Sequence, residues 1–476
     1  MVCSWGYPSA SWKEVPLTRF LLGEAVGYAT TGHTTPNGAS TFKVRKGQTR
    51  MNVTDKTIQT TLSCVEELFG SSSQRNFTVQ FWDGTVWKPE PAELASFTLV
   101  LQHPGALRAM FLPPSELNMA EAYIYNDYDV VGDIEAFVRV LFHFLDASWG
   151  TRDKVRYGTH LLSLPKTRQP RPDSTAAHVH GKRHSRERDR QAIQYHYSRS
   201  NEFFALFLDR HLLYSCAYFL TPDEDIDTAQ ERKLDYICRK LRLRPGERLL
   251  DIGCGWGGLV IYAAQHYGVE AYGVTLSEAQ AELAQQRIQE AGLTASCRVE
   301  FRDYRDIDEP EAFDSIASVG MYEHVGAARL TPYFRHCWRL LRPGGVLFVH
   351  GFASTAIFQS GREPTFADRY ILPDAELVPL SQLLHAAAEG GFEVRDVECM
   401  RDQYVLTWRT WLHRLEAHAE EARALTSDAY YRIWRLFMAG AVHTFTCGRE
   451  NAYHTLLLKP DQGESHLPLT RADWYA

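Results

Sequence analysis

No stretch of the 476-residue chain reaches the roughly 18 consecutive apolar residues that a helix needs to cross a bilayer, which argues against an integral membrane protein. The N-terminal MVCSWGYPSASWKEV has no basic stretch followed by an apolar one, so no secretory leader is expected. Cysteine is scarce and scattered: nine residues, the closest pair being Cys238 and Cys254, with no CxxC and no zinc-ribbon spacing. No metal site is expected, and free thiols of a reducing cytoplasm fit this set better than a disulfide framework. Strong charge is missing too. A net charge of −7 with an acidic bulk disfavours general nucleic-acid binding.

What is abundant is apolar. A chain with 45% hydrophobic and 12% aromatic residues can bury real cores, excludes disorder over most of its length, and at roughly 150 residues per domain predicts two or three domains. Charge is unevenly spread: −2 over 1–164, +5 over 165–190 and −10 over 191–476. The middle segment, PKTRQPRPDSTAAHVHGKRHSRERDR, carries three prolines, three histidines and almost no large apolar residues. It reads as a basic, flexible linker, either simply solvated or touching anionic lipid head groups at ~1 kcal/mol per basic residue.

Residues 1–164 read as a small α+β module, with strands at 77–82 and 96–101, a turn at Asp83-Gly84 and an apolar-faced helix at 134–145. No catalytic constellation is visible there. After the linker, strands expected at 248–252, 269–274, 299–302, 313–319 and 345–350 alternate with helices at 258–266, 277–292 and 330–341. Such alternation predicts an α/β fold with a doubly wound parallel sheet over 191–476.

The first strand of that unit runs into Asp251-Ile252-Gly253-Cys254-Gly255-Trp256-Gly257. Gly253 and Gly255 let the backbone turn tightly and admit a ligand against the main chain. The dinucleotide fingerprint would place a carboxylate at the end of the second strand, where this chain has Val274-Thr275-Leu276-Ser277. That argues against NAD. The D-x-G-x-G-x-G run instead resembles motif I of class I S-adenosylmethionine-dependent methyltransferases. Asp303 and Tyr304, after a later strand, could hold an adenine by hydrogen bond and stacking, or form an ordinary strand-end turn.

Four further segments stand out together: Tyr214-Ser215-Cys216-Ala217, Gly320-Met321-Tyr322-Glu323-His324, Phe348-Val349-His350-Gly351-Phe352 and Gln403-Tyr404-Val405. With His196-Tyr197 and Asn201-Glu202-Phe203-Phe204 upstream, they resemble the cyclopropane-fatty-acyl-phospholipid synthase family, which includes the mycolic acid cyclopropane synthases. Phe81-Trp82-Asp83-Gly84, His103-Pro104 and Gly132-Asp133 resemble the accessory lipid-binding domain of the bacterial phospholipid enzymes.

The resemblance implies a class I methyltransferase catalytic domain that uses S-adenosylmethionine to cyclopropanate unsaturated phospholipid acyl chains, with bound bicarbonate as base. Carried over by motif, Glu323, His350 and Tyr404 with the backbone N–H groups of Cys216 and Phe352 would hold that ion. Tyr214, Ser215, Asp251, Gly253, Gly255, Thr275, Gln280, Asp303 and Tyr304 would hold S-adenosylmethionine. It also implies a cytoplasmic, peripherally membrane-associated enzyme and a homodimer. Taken singly, each residue has a plainer reading as core packing, a helix cap or one more buried aromatic, and the aromatics of 203–218 and 404–411 could line an acyl tunnel or fill a core. Three departures stand out: Ser198 and Gln403 replace a family Asp and His, and Phe437-Met438-Ala439-Gly440-Ala441 lacks a cysteine many members carry. Methyl-branched or methylene products, a small-molecule C-methyltransferase and a non-catalytic lipid- or cofactor-binding protein are the competing readings.

Overall fold

The computed structural model describes residues 53–69, 76–90, 93–146, 150–172, 175–197, 200–355 and 365–475. The first 52 residues and Ser198 lie outside the described residues. Among those described, no helix is long and apolar enough to cross a membrane.

The N-terminal module runs α1 (Val53–Phe69), β1 (Phe77–Gln80), β2 (Val86–Trp87), β3 (Phe97–Leu101), α2 (Ala106–Phe111), α3 (Glu116–Ile124), β4 (Tyr128–Gly132), α4 (Ile134–Asp146) and α5 (Thr151–Ser163). The expected turn forms at Asp83-Gly84, where Gly84 has φ +90° and Thr85 N–H donates to Asp83 Oδ1 at 3.0 Å. It leads into the two-residue β2, however, and β3 lies parallel to β1, with Phe77 stacked on Phe97 at 5.1 Å. The strand order is β2-β1-β3-β4. Along α4, Ile134, Phe137, Val138 and Leu141 are buried at the helical spacing their sequence pattern predicts.

The C-terminal unit begins with α6 (Arg186–Tyr197), α7 (Asn201–Ala205) and α8 (Ile226–Leu241). Then come β5 (Arg248–Ile252), α9 (Gly258–Tyr267), β6 (Glu270–Thr275), α10 (Glu278–Glu290), β7 (Cys297–Phe301), β8 (Phe313–Val319), α11 (Leu330–Leu340) and β9 (Leu341–Ser354). α12 (Phe366–Tyr370), α13 (Leu380–Glu389), β10 (Glu393–Cys399), α14 (Arg401–Ala417), α15 (Ala419–Leu425), α16 (Asp428–Thr446) and β11 (Glu450–Leu458) complete it. The seven strands are ordered β10-β11-β9-β8-β5-β6-β7.

Strands β5 to β9 pair in parallel, as the alternation predicts, and both faces are covered. Leu249, Val346 and Phe348 pack with α8, α9 and α10, whereas Leu250, Leu347 and Val349 pack with α11 and α13. This two-sided burial is why such strands read as continuous apolar runs. β11 pairs antiparallel with both β9 and β10, leaving β10 at the sheet edge.

α16 belongs to two neighbourhoods at once. Its Arg435 donates to Tyr123 Oη (2.9 Å), Val130 O (3.1 Å) and Gly132 O (3.2 Å), and its Arg432 to Tyr123 O (3.3 Å) and Asp129 (3.1 Å). One continuous apolar cluster accordingly holds Phe137 and Leu141 of α4 together with Trp434 and Met438 of α16.

The segment 165–190, expected as a solvated tether, is laid against the protein. Gln169 N–H donates to Asp127 at 2.7 Å, Arg171 pairs with Glu121, Arg183 with Glu376 at 3.2 Å, Arg186 with Asp306, and Arg188 with Asp374. Composition suggests a linker because apolar residues are missing, but here ion pairs fix the chain in place of apolar burial. Much of its positive charge is therefore matched by internal carboxylates.

Candidate functional site

The β5–α9 turn shapes the floor of a cavity at the carboxyl ends of the parallel strands, where open α/β sheets bind ligands. Gly253 sits at φ +83°, and a side chain there would bring its Cβ to 2.9 Å from Met321 Cγ. The Gly253 and Cys254 N–H groups donate to Val274 O at 2.9 and 3.0 Å, tying the turn to the end of β6. Asp251, Gly253, Gly255, Thr275, Gln280, Tyr214, Ser215 and Tyr304 all line this cavity. Thr275 Oγ1 donates to Gln280 Oε1 at 2.7 Å, so the hydroxyl and amide stand together where a dinucleotide fold would place a carboxylate.

Asp303 is not on the wall. It accepts from Arg305 N (3.0 Å), Nε (2.8 Å) and Nη2 (2.6 Å). Burial would raise its carboxyl, but Arg305 outweighs that and holds it below the usual range. Arg302 and Arg305 line the cavity at this end beside Tyr304.

Sequence reasoning missed two contributors. α6 presents Asp189, Ile193 and Tyr197 to the cavity, four residues apart and hence on one helix face. Lys233 of α8 also lines it, fully buried, and donates to Ser215 Oγ at 2.7 Å. Burial pushes Lys233 down to about 8 and Asp251 up to about 7, and each partly offsets the other. Asp251 Oδ1 has no hydrogen-bond partner. The available signal was a lysine within the apolar stripe Ile226, Ala229, Lys233, Leu234, Ile237, because an unpaired buried cation is strongly disfavoured. Lys233→Met is expected to weaken S-adenosylmethionine binding roughly tenfold, read by titration calorimetry, since it frees Ser215 and removes the cation beside Asp251.

A second cluster stands apart from the cavity wall. Glu323 lies on a 3₁₀ turn (Tyr322–His324), His350 and Phe352 on β9, Tyr404 on α14, and Cys216 in the chain before α8. Tyr404 stacks on Phe352 at 5.0 Å and lies 6.2 Å from the His350 ring. Glu323 Oε1 accepts the Phe352 N–H at 2.6 Å, so the donor expected to hold an anion instead anchors Glu323. The other oxygen, Oε2, is buried without a partner, as is His350 Nδ1.

Burial drives the charges here. It pushes Glu323 up to about 7 against the pull of the Phe352 N–H, and pushes His350 down to about 3, aided by Lys233 and Lys240. The Cys216 thiol is pushed up by burial and donates to Ala217 O at 3.3 Å, so it is no nucleophile. Cavity and cluster meet through aromatics: Tyr214 packs on Trp411 at 5.2 Å and Trp408 at 6.1 Å, and Tyr404 on the same two rings at 6.2 and 5.4 Å. Phe203, Phe204, Phe207, Trp408 and Trp411 are buried core.

The profile of the mycolic acid cyclopropane synthetase family matches residues 184–455, and residues 64–149 match a domain described only as of unknown function. A Pseudomonas putida protein named "Probable fatty acid methyltransferase" is 36% identical over 83% of this chain and 95% of its own length. A Mycobacterium tuberculosis protein of the same name is 33% identical over 85% of this chain and 96% of its own. Among solved structures, a cyclopropane synthase from Mycobacterium tuberculosis superimposes with a TM-score of 0.55 at 31% identity, covering 57% of this chain and 98% of that one. A mycolic acid cyclopropane synthase complexed with SAH and CTAB gives 0.54 at 32% identity, covering 57% and 98%. The glycine turn at the end of β5, the Thr275–Gln280 pair and these matches lead to one assignment: the chain belongs to the mycolic acid cyclopropane synthetase family and is an S-adenosylmethionine-dependent methyltransferase with the class I fold.

Proposed function

We propose that the protein is a cyclopropane-fatty-acyl-phospholipid synthase, acting on the cis double bond of phospholipid acyl chains as a peripheral enzyme at a membrane surface. The observation that carries this reading is the pair of unpartnered buried atoms, Glu323 Oε2 and His350 Nδ1, gathered beside Tyr404 and joined to the cofactor cavity through Trp408 and Trp411. In the reaction the alkene's electron pair forms a bond to the methyl carbon of S-adenosylmethionine, and the sulfur–methyl bond breaks with its pair on sulfur. A carbocation remains on the former alkene carbon. A proton then leaves the delivered carbon, and its C–H pair closes the ring.

That proton needs a base, and the cluster suits bicarbonate. Its unpartnered acceptor and neutral imidazole match an oxyanion that still carries one O–H. Glu323, His350, Tyr404 and the Cys216 backbone would hold it, and when bound it supplies a proton acceptor beside the new methyl group. Glu323 must be ionised to accept an O–H. Since burial sets it near 7, activity is expected to rise with pH through about 7 and level off above; a limb at the ordinary glutamate value near 4.5 would contradict that role.

One rival on the same scaffold is a methyl-branched acyl product, with which the relatives' name, fatty acid methyltransferase, is equally compatible. Incubating purified protein with methyl-labelled S-adenosylmethionine and vesicles of unsaturated phospholipid decides between them. A label gained as one methylene unit, in a ring proven by its upfield proton resonances, supports the proposal. A labelled branch formed only with added reductant supports the rival, and no label in lipid sinks both.

A further inference from the structure

We infer that Glu398, His454 and His350, one residue from each of three adjacent strands, form a row that carries the reaction's released proton from the site to solvent at the sheet edge. The inference rests on the reading of His350 as part of the reaction site.

The row follows from register. His454 of β11 sits directly opposite His350 of β9 and directly opposite Glu398 of β10. Directly paired residues point to one face of a sheet with Cβ atoms about 5 Å apart, so the three side chains stand side by side. The two imidazoles are 4.9 Å apart, centre to centre. Both His454 nitrogens are buried without a partner, as is His350 Nδ1. An unpaired buried polar group costs about 1–3 kcal/mol, and a leucine or phenylalanine would fill the place beside Phe348 without that cost.

Helix α8 covers the row and supplies its outer end. The Tyr236 ring packs on the His454 ring, 6.2 Å centre to centre, and its hydroxyl donates to Glu398 Oε2 at 3.0 Å. Lys240 donates to the same carboxylate at 2.6 Å, and Tyr218 approaches its other oxygen at 3.3 Å. The Glu398 side chain is 26% exposed on the edge strand, while His350 and His454 are sealed. One end of the row therefore meets water and the other meets the site.

Each turnover turns a sulfonium and an alkene into a neutral thioether, a ring and one proton. Unless that proton leaves, the site stays protonated and the next turnover waits. Burial and the ammonium groups of Lys240 and Lys233 hold both histidines neutral, so each keeps one N–H and one lone pair. No hydrogen bond joins neighbours in the row at rest, so each handover requires an imidazole to turn toward the next group, and one that shifts every proton one place along leaves each imidazole neutral afterwards.

The test uses His454→Phe in the full chain, with vesicles of unsaturated phospholipid. The first turnover needs no prior proton release, so the single-turnover rate should stay within about twofold of wild type while the steady-state rate falls about tenfold, giving a burst of one product per site. The solvent isotope effect on steady-state turnover should grow. Glu398→Gln, at the exposed end, should give the same burst more mildly, and it decides alone if His454→Phe fails to fold. Steady-state rates unchanged in both variants, or single-turnover and steady-state rates falling together, would overturn the row. A wild-type enzyme that labels no lipid at all would sink the proposed function itself, whereas normal turnover in active variants removes only the relay.

Discussion

Glu323→Gln is expected to lower turnover by about 10²–10³-fold while leaving S-adenosylmethionine affinity near that of the wild type. The amide is nearly isosteric, and its oxygen can still accept the Phe352 N–H that Oε1 accepts now at 2.6 Å. What changes is the second position. Oε2, a buried acceptor with no partner, becomes an NH₂ donor that can no longer accept an O–H. Cofactor binding survives because Glu323 does not line the cavity. Turnover and calorimetry on one preparation check this, and turnover within threefold of wild type would remove Glu323 from the chemistry.

Gly351→Ala should damage stability and turnover together. The residue needs no unusual backbone angle, and its constraint is space alone. A Cβ there would overlap the Tyr322 ring and approach Glu323 Oε1 to 2.7 Å. Both neighbours are held, Tyr322 buried with its hydroxyl donating to Phe352 O, and Glu323 fixed by the Phe352 N–H. Overpacking of this kind costs about 1–3 kcal/mol, and the 3₁₀ turn must retreat, taking Glu323 with it. Thermal melts should show the loss, and turnover should fall at least tenfold at temperatures where the variant is folded. A variant of wild-type stability and activity would show that the turn can yield at no cost.

What the sequence made legible was local. The β5–α9 turn, the Ser277 cap of α10 and the α11 boundaries fall within one or two residues of expectation, because glycine, capping and periodicity act over a few residues. The Glu323, His350, Tyr404 and Phe352 gathering was reached through resemblance, since those residues come from three separate elements whose approach no local pattern encodes. The same limit hid β11, whose register with β9 and β10 is a long-range pairing. Asp303 misled for a different reason: Arg305, two residues on, claims its carboxylate. For Phe352, the expected donor role assumed an anion partner, and a neighbouring carboxylate had already taken it.

The helix that closes the chain's last crossover has one more implication. Because α16 sends Arg432 and Arg435 into the N-terminal module and packs its apolar side with α4, the natural cut point at the end of α5 is a false seam. An excised piece starting at residue 191 would leave Arg432 and Arg435 with only Asp428 and Glu416 as partners and would bare a hydrophobic flank, the profile of a fragment that clumps in solution. The catalytic unit is thus not separable by scissors, although its sheet is complete. The flank of α16 is covered by the module that precedes it.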